Sequence, residues 1–127
     1  MEGTALAYRS LCEALATPPS GPLYLVGGGA KSALWCQILA DVLGSAVHVV
    51  AAPADAAARG AAIIAGVGLG WYADYCPAGN FFAVNQIYTP EAKSTQLYDE
   101  LYSVFRQLYP QLRGAFKELA DISFAQG

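Results

Sequence analysis

The stretch that decides the fold is "LYLVGGGAKSALWCQILADVLG", which runs from Leu23 to Gly44. Its first four residues are apolar, three glycines follow, and apolar residues then recur at helical spacing. A short apolar run bounded by chain breakers predicts a strand that is buried on both faces. Ser32 is expected to cap the following helix, and Gly44 to end it in a left-handed conformation. The stretch therefore predicts a strand, a glycine turn and a helix.

The flanking sequence extends this unit at both ends. "EGTALAYRSLCEALAT" has the apolar spacing of a helix, and the prolines of "TPPSGP", Thr17 to Pro22, are expected to end that helix. After the central helix, the β-branched residues 46–52 predict a second strand, and the alanine-rich residues 55–72 predict a third helix. Strands joined through a crossover helix almost always run parallel, so we expect a βαβ unit. Only two strands are evident, which is too few for an independent α/β domain, so further strands are expected from a larger protein.

The remainder of the chain gives weaker signals. Residues 73–92 show no clear period and contain Pro77 and Pro90, so an irregular crossing segment is expected there. Residues 93–122 carry a long apolar stripe and predict a helical tail, in which Pro110 either introduces a kink or begins a second helix. A glycine inside a helix costs about 1 kcal/mol relative to alanine. We therefore expect another backbone to pack closely against the glycines of the third helix, which are Gly60, Gly66 and Gly70.

Composition excludes several classes of protein. The chain has 127 residues, of which 55% are hydrophobic and 13% are charged, and its net charge is -3. So few positive charges argue against nucleic acid as a partner. No apolar run reaches the roughly 20 residues that cross a membrane, and no export signal is visible, so a cytoplasmic protein is expected. The excess of apolar residues indicates a surface covered by another domain or by a second copy of the chain, as in a homo-oligomer.

Titratable residues give little sign of catalysis. Three cysteines without CxxC spacing and one histidine are too few for a zinc site, and the thiols are expected to be reduced. His48 lies in the second predicted strand and is expected to be partly buried and hydrogen-bonded. Asp41 and Asp55 are isolated carboxylates near helix ends, where they are expected to be surface or helix-dipole groups. We predict no metal site and no catalytic residue in this chain.

The glycine turn is the strongest functional signal. Glycines between a strand and a helix allow positive φ and let an anion such as phosphate approach the backbone N–H groups. A Walker loop requires glycines at the positions that Leu25 and Ala30 occupy, so this turn is not a P-loop. The dinucleotide fingerprint fits Gly27 and Gly29 but only partly fits Ser32, and it lacks a suitable acid directly after the second strand.

The quoted stretch, together with "ADAAARGAAIIAGVGLGWYAD", resembles the adenine-nucleotide-binding end of the FGGY carbohydrate kinases, in particular their xylulose kinase branch. The first helix and "LYDELYSVFRQLYPQLRGAFKELA" are similar to the helices that flank this unit in the family. The resemblance implies an α/β fold of the actin, Hsp70 and hexokinase type, which is ribonuclease H-like. It implies that residues 1–127 are one part of the second lobe, with a nucleotide-binding core at 1–72, the crossing segment at 73–92 and the tail at 93–122.

The same resemblance implies a site and its limits. Adenine nucleotide, as ATP with Mg²⁺, is expected along six residues: Gly27, Gly28, Gly29, Ala30, Lys31 and Ser32. The family's catalytic aspartate and the acids that organise Mg²⁺ lie in an N-terminal lobe that this chain lacks, and the sugar binds only with that lobe. The isolated chain is therefore expected to have no kinase activity. The family more often has leucine at the position of Arg59. Two alternatives remain open, a dinucleotide-binding fragment of an oxidoreductase and a non-catalytic interaction module.

Overall fold

The computed structural model describes residues 1–15, 21–76, 79 and 83–124, and the side chains up to Ile122. In these residues four helices and three strands follow one another, with a 3₁₀ turn before each of the second and third helices. The elements are α1 (Glu2–Ala14), β1 (Leu23–Leu25), the turn Gly28–Lys31, α2 (Ala33–Leu43), β2 (Val47–Val50), the turn Pro53–Asp55, α3 (Ala56–Gly68), β3 (Val84–Tyr88) and α4 (Ala92–Phe124).

The strands form one mixed sheet in the order β1-β2-β3. β1 and β2 are parallel, with Leu23 opposite Val47, so the predicted βαβ unit is confirmed. β3 is antiparallel to β2, with Tyr88 opposite Val47 and an irregularity at Val50. The prediction of only two strands, and of an irregular segment throughout 73–92, was therefore wrong from Val84 to Tyr88. Residues 77, 78 and 80–82 of that segment lie outside the described residues, as do residues 17–20 of the predicted "TPPSGP" stop.

One face of the sheet carries the core. The core gathers buried residues from α1, the turn Gly28–Lys31, α2, β2 and α4, namely Ala5, Leu6, Ala30, Cys36, Leu39, Ala40, Val42, Val47, Val49, Tyr98 and Tyr102. Leu23 and Leu25 pack against this cluster, whereas Tyr24 between them is 57% exposed. Because successive strand residues alternate between faces, Tyr24 lies on the opposite face, beside the ring of His48 at 5.4 Å. The prediction that β1 is buried on both faces was wrong.

Asp41 joins α2 to the start of α4. Its side chain is buried, and its Oδ1 accepts hydrogen bonds from the backbone N–H of Glu91 at 2.8 Å and from Nε2 of Gln37 at 3.0 Å. Nε2 of Gln37 also donates to the carbonyl of Thr89 at 2.9 Å. Glu91 directly precedes α4, so the carboxylate satisfies a donor that the start of a helix leaves unpaired. Asp41 was predicted to be a surface or helix-dipole group, and the surface interpretation was wrong because α4 covers it.

Aromatic and charged side chains hold α1 against α4. Arg9 donates from Nη1 to Asp99 at 2.7 Å, and its guanidinium carbon lies 4.3 Å from the ring centre of Tyr102. The Tyr98 hydroxyl donates to Glu2 at 2.9 Å. Burial, and then this hydrogen bond, raise the pKa of Tyr98 to about 12. These contacts attach α1 to the first half of α4, and a hydrogen bond from Nη1 of Arg9 to the carbonyl of Val42, at 3.3 Å, attaches α1 to the end of α2.

The last two helices differ from their predicted forms. α3 ends at Gly68 and not at Tyr72, because the chain reverses at Gly70 with a φ of 74°. A Cβ at Gly66 would lie 2.7 Å from the ring of Tyr72, and one at Gly60 would meet nothing within 4 Å. The expected close backbone was wrong, since a side-chain ring occupies the position above Gly66. α4 continues through Pro110, so no second helix begins there, and its side chains from Arg106 to Ile122 are exposed.

The helices of the described residues fall short of a membrane span. None of them combines the length and the apolar character that crossing a bilayer requires.

Candidate functional site

The glycine turn, Gly27 to Ser32, connects β1 to α2. Gly27 has φ 85° and ψ -175°, a backbone region that essentially only glycine occupies. Gly28, Gly29, Ala30 and Lys31 then form the 3₁₀ turn. A Cβ added at Gly27 or Gly28 would meet nothing within 4 Å, so open space lies beside this part of the backbone. The turn therefore reverses the chain and also leaves room for another molecule.

Only some of the backbone N–H groups of this turn are hydrogen-bonded to other described residues. Gly27 N–H donates to the carbonyl of Pro53 at 2.6 Å, and Ala30 N–H donates to the carbonyl of Gly27 at 3.3 Å. The N–H groups of Gly28 and Gly29 find no acceptor among the described residues, and both glycines are exposed. Adjacent free N–H groups at the start of a helical turn are donors that an anion can use.

Ser32 and Gly44 delimit α2 as the sequence predicts. The Ser32 Oγ accepts a hydrogen bond from the backbone N–H of Trp35 at 3.3 Å, and Gly44 has a φ of 61° at the end of the helix. Both predictions are confirmed. Because its hydroxyl caps the helix, Ser32 contributes to the turn mainly by fixing where α2 begins.

The remaining predicted site residues lie at different depths. Ala30 is 6% exposed, and its carbonyl accepts a hydrogen bond from the Cys36 thiol at 3.6 Å. Burial raises the pKa of that thiol, which keeps it protonated and able to donate. Lys31 is exposed and forms no ion pair with the described residues, so its ammonium group is available to a ligand. The structure thus places Lys31 on the solvent side of the turn and Ala30 beneath it.

Trp35 is a residue of this site that sequence reasoning missed. The indole ring lies close to the turn, because a Cβ added at Gly29 would be 3.3 Å from both Cδ1 and Nε1 and would press on the ring. The ring of Tyr8 on α1 lies 6.5 Å from that of Trp35. The only signal in the sequence was a tryptophan in the first turn of the helix that follows the glycines.

A second turn meets the first at the same edge of the sheet. We call residues Ala51 to Asp55 the alanine turn, and it connects β2 to α3. Ala52 has φ 47° and ψ 59° and is the one non-glycine residue with positive φ in the described chain. Such a conformation costs about 1–3 kcal/mol in a residue with a side chain, and strained residues of this kind concentrate at functional sites. Because Pro53 accepts the Gly27 hydrogen bond, the two turns are directly connected.

The other titratable groups add no catalytic arrangement. In residues 1–15, 21–76, 79 and 83–122, no three side chains of His, Cys, Asp or Glu come together as metal ligands would. His48 is partly buried as predicted, but its buried Nδ1 has no hydrogen-bond partner in the part of the chain that is described. Asp55 begins α3 without a side-chain hydrogen bond to its backbone.

Solved structures establish the class of protein to which this fold belongs. The crystal structure of a xylulose kinase from Rhodospirillum rubrum matches 91% of this chain with a TM-score of 0.70 and 28% identity, over 24% of its own length. A ligand-bound xylulose kinase from Lactobacillus acidophilus matches the same share with a TM-score of 0.78, and at 18% identity it supports the fold alone. The chain has the actin-like, ribonuclease H-like α/β fold of sugar kinases, as the sequence predicts.

The family follows from the sequence match. Residues 1–69, which include the glycine turn and α3, match the C-terminal domain of the FGGY family of carbohydrate kinases. The chain belongs to the FGGY family of carbohydrate kinases, and the predicted resemblance is confirmed.

Curated relatives carry two different names. A xylulose kinase from Staphylococcus epidermidis is 32% identical over 100 residues, which are 77% of this chain and 20% of the relative. An autoinducer-2 kinase from Klebsiella pneumoniae is 39% identical over 93 residues, which are 72% of this chain and 17% of the relative. The chain therefore spans about a fifth of the length of the curated relatives that it matches.

Proposed function

We propose that this chain is the ATP-binding C-terminal portion of a carbohydrate kinase and that its glycine turn holds the phosphates of the adenine nucleotide. The observation that carries the proposal is the pair of unpaired N–H groups of Gly28 and Gly29 on an exposed turn. A nucleotide phosphate is an anion that such donors bind, and the ammonium group of Lys31 adds a positive charge.

The proposed reaction needs more than this chain contains. Phosphoryl transfer depends on positioning and on charge stabilisation by metal ions, together with a base for the attacking hydroxyl. The glycine turn supplies positioning for the nucleotide. We propose that the base, most of the Mg²⁺ ligands and the sugar contacts belong to an N-terminal lobe, that the isolated chain is inactive, and that the protein is cytoplasmic.

The acceptor is proposed from the relatives. The parent protein would transfer the γ-phosphate of ATP to a ketose hydroxyl, since the names of several relatives and structural neighbours specify xylulose kinase. A second candidate acceptor is autoinducer-2, because a relative that is 39% identical is named autoinducer-2 kinase. Residues 1–69 match the family's C-terminal domain alone, so both acceptors are consistent with the same nucleotide site.

The test replaces a glycine at a position where a side chain would block the ligand without disturbing the fold. Gly28→Val places a side chain in the open space beside the free N–H groups, where the protein itself offers nothing within 4 Å. Gly21→Val is the matched control, because a Cβ at Gly21 also meets nothing within 4 Å and Gly21 lies outside the turn. Gly29 is less suitable, since a side chain there would press on Trp35 at 3.3 Å.

Isothermal titration of the chain with ADP measures the outcome. We expect Gly28→Val to weaken ADP binding at least tenfold and Gly21→Val to leave it within twofold of the original chain, with all three proteins folded by circular dichroism. Equal ADP affinity in Gly28→Val and in the original chain would contradict the proposed site. Tighter binding of NAD than of ADP would favour the oxidoreductase alternative.

A further inference from the structure

The glycine turn depends on a residue outside it. Gly27 has a backbone conformation that only glycine adopts readily, and one hydrogen bond joins its N–H to the neighbouring turn, through the carbonyl of Pro53 at 2.6 Å. A glycine has many accessible conformations, so a contact that holds Gly27 also restricts the two glycines that follow. The position of the Pro53 carbonyl is therefore relevant to the whole glycine turn.

Ala52 directly precedes the residue that carries that carbonyl. The chain leaves β2 at Val50 and reverses through Ala52, whose φ of 47° is left-handed. The ring of Pro53 then fixes the following φ, and the N–H of Asp55 donates back to the carbonyl of Ala52 at 3.0 Å. A residue with a Cβ and a following proline is disfavoured in this conformation for two steric reasons. The alanine turn nevertheless has this shape, and the Pro53 carbonyl that follows Ala52 accepts the hydrogen bond of Gly27.

We propose that Ala52 is a positioning residue for the phosphate site. Its left-handed backbone holds the Pro53 carbonyl against the N–H of Gly27, which fixes the glycine turn in the form that leaves the N–H groups of Gly28 and Gly29 free for phosphate. The role rests on the proposed nucleotide-binding function. It deepens that function, because it assigns part of the preorganisation of the site to a residue outside the glycine turn.

Two substitutions at Ala52 are expected to differ in their effect on the contact between the two turns. Glycine reaches the left-handed region without strain, so Ala52→Gly is expected to keep the contact between the two turns. A β-branched residue is an outlier in that region, so Ala52→Val is expected to extend the turn and separate the carbonyl from Gly27. Ala51→Val is the matched control, since Ala51 is also exposed and lacks the positive φ of Ala52.

The experiment measures the contact and the binding separately. Scalar coupling across the hydrogen bond, between the Gly27 nitrogen and the Pro53 carbonyl carbon, reports the contact by NMR in labelled chain, and calorimetry reports ADP affinity. We expect Ala52→Val to lose the coupling and to bind ADP at least tenfold more weakly. Ala52→Gly and Ala51→Val are expected to keep the coupling and to bind within twofold of the original chain.

The outcomes distinguish this inference from the function on which it rests. Loss of the coupling in Ala52→Val with unchanged ADP affinity overturns the positioning role and leaves the nucleotide site intact. No ADP binding by the original chain, with the coupling present, overturns the nucleotide site and the role together.

If Ala52→Val does not fold, the Pro53→Ala variant replaces it, because this variant keeps the acceptor carbonyl of residue 53 but no longer fixes the φ of that residue. A smaller coupling with at least threefold weaker ADP binding is then expected, and unchanged affinity overturns the role.

Discussion

The glycine turn and the alanine turn make the same connection, from a parallel strand to a helix, in different ways. The glycine turn has its positive φ at Gly27, where no side chain resists it, and a serine hydroxyl caps the helix that follows. The alanine turn has its positive φ at Ala52, and Asp55 begins the next helix without a side-chain cap. The glycine turn has free backbone donors, and its local sequence fits its conformation. The alanine turn is strained at Ala52, and its Pro53 carbonyl holds the glycine turn through the N–H of Gly27.

The largest expected effect on stability is at Gly27. Gly27→Ala forces a side chain into a backbone region that essentially only glycine occupies, so we expect the free energy of unfolding to fall by about 2 kcal/mol. Urea denaturation measures the change. Gly28→Ala is the control, because Gly28 lacks a positive φ and a Cβ there meets nothing within 4 Å. Equal stabilities of the two variants would show that the backbone of Gly27 is not constrained as described.

The next effect is at the cap of α2. Ser32→Ala removes the acceptor of the Trp35 N–H and should lower the free energy of unfolding by about 1 kcal/mol. Ser32→Asp keeps a capping oxygen and should recover most of the loss, which urea denaturation of both variants measures. A Ser32→Ala variant as stable as the original chain would show that the Ser32 hydroxyl does not stabilise the start of α2.

Local signals explain why the glycine turn could be predicted and the alanine turn could not. The positions of Ser32 and Gly44 depend on backbone groups within a few residues, so the sequence alone predicted both ends of α2. Ala52 offers no such signal, since alanine is rarely left-handed and its conformation depends on what its neighbours contact. The same limit applies to Trp35, whose ring meets the turn only after α2 has formed.

Non-local pairing explains the larger errors in the fold. β3 is exposed along most of its length, so its own sequence shows no alternation that predicts a strand, and its partners on β2, from Val50↔Val84 to Val47↔Tyr88, are distant in sequence. Asp41 likewise becomes buried because α4 begins over it, at a distance of 50 residues in sequence. The parallel pair of strands was predictable because the crossover helix between them fixes their relative direction.

A smaller effect, of opposite sign, is expected at Ala52. Ala52→Gly relieves the strain of a left-handed alanine, about 1 kcal/mol, and increases the entropy of the unfolded chain, which offsets part of the gain. The expected net change is a stabilisation of about 0.5 kcal/mol, measured by urea denaturation. Ala51→Gly is the control and should only destabilise. A clear loss of stability in Ala52→Gly would indicate that Ala52 is not strained.

The smallest effect is expected at Asp55, and it sharpens the contrast with Ser32. Asp55 is exposed and has no capping hydrogen bond, so Asp55→Ala should cost only about 0.3 kcal/mol through the lost interaction with the helix dipole. That loss should diminish at high salt, because the interaction is screened. A loss as large as that of Ser32→Ala would mean that both turns are capped in the same way.

The most direct test of the nucleotide site is an amide NMR titration of the labelled chain with ADP, followed by the same titration with NAD. We predict that ADP shifts the amide resonances of Gly28 and Gly29 most strongly, that Lys31 follows, and that Gly21 does not move. NAD should produce smaller shifts at the same concentration. A folded chain in which ADP leaves Gly28 and Gly29 unshifted would contradict the assignment of the glycine turn as the phosphate-binding element.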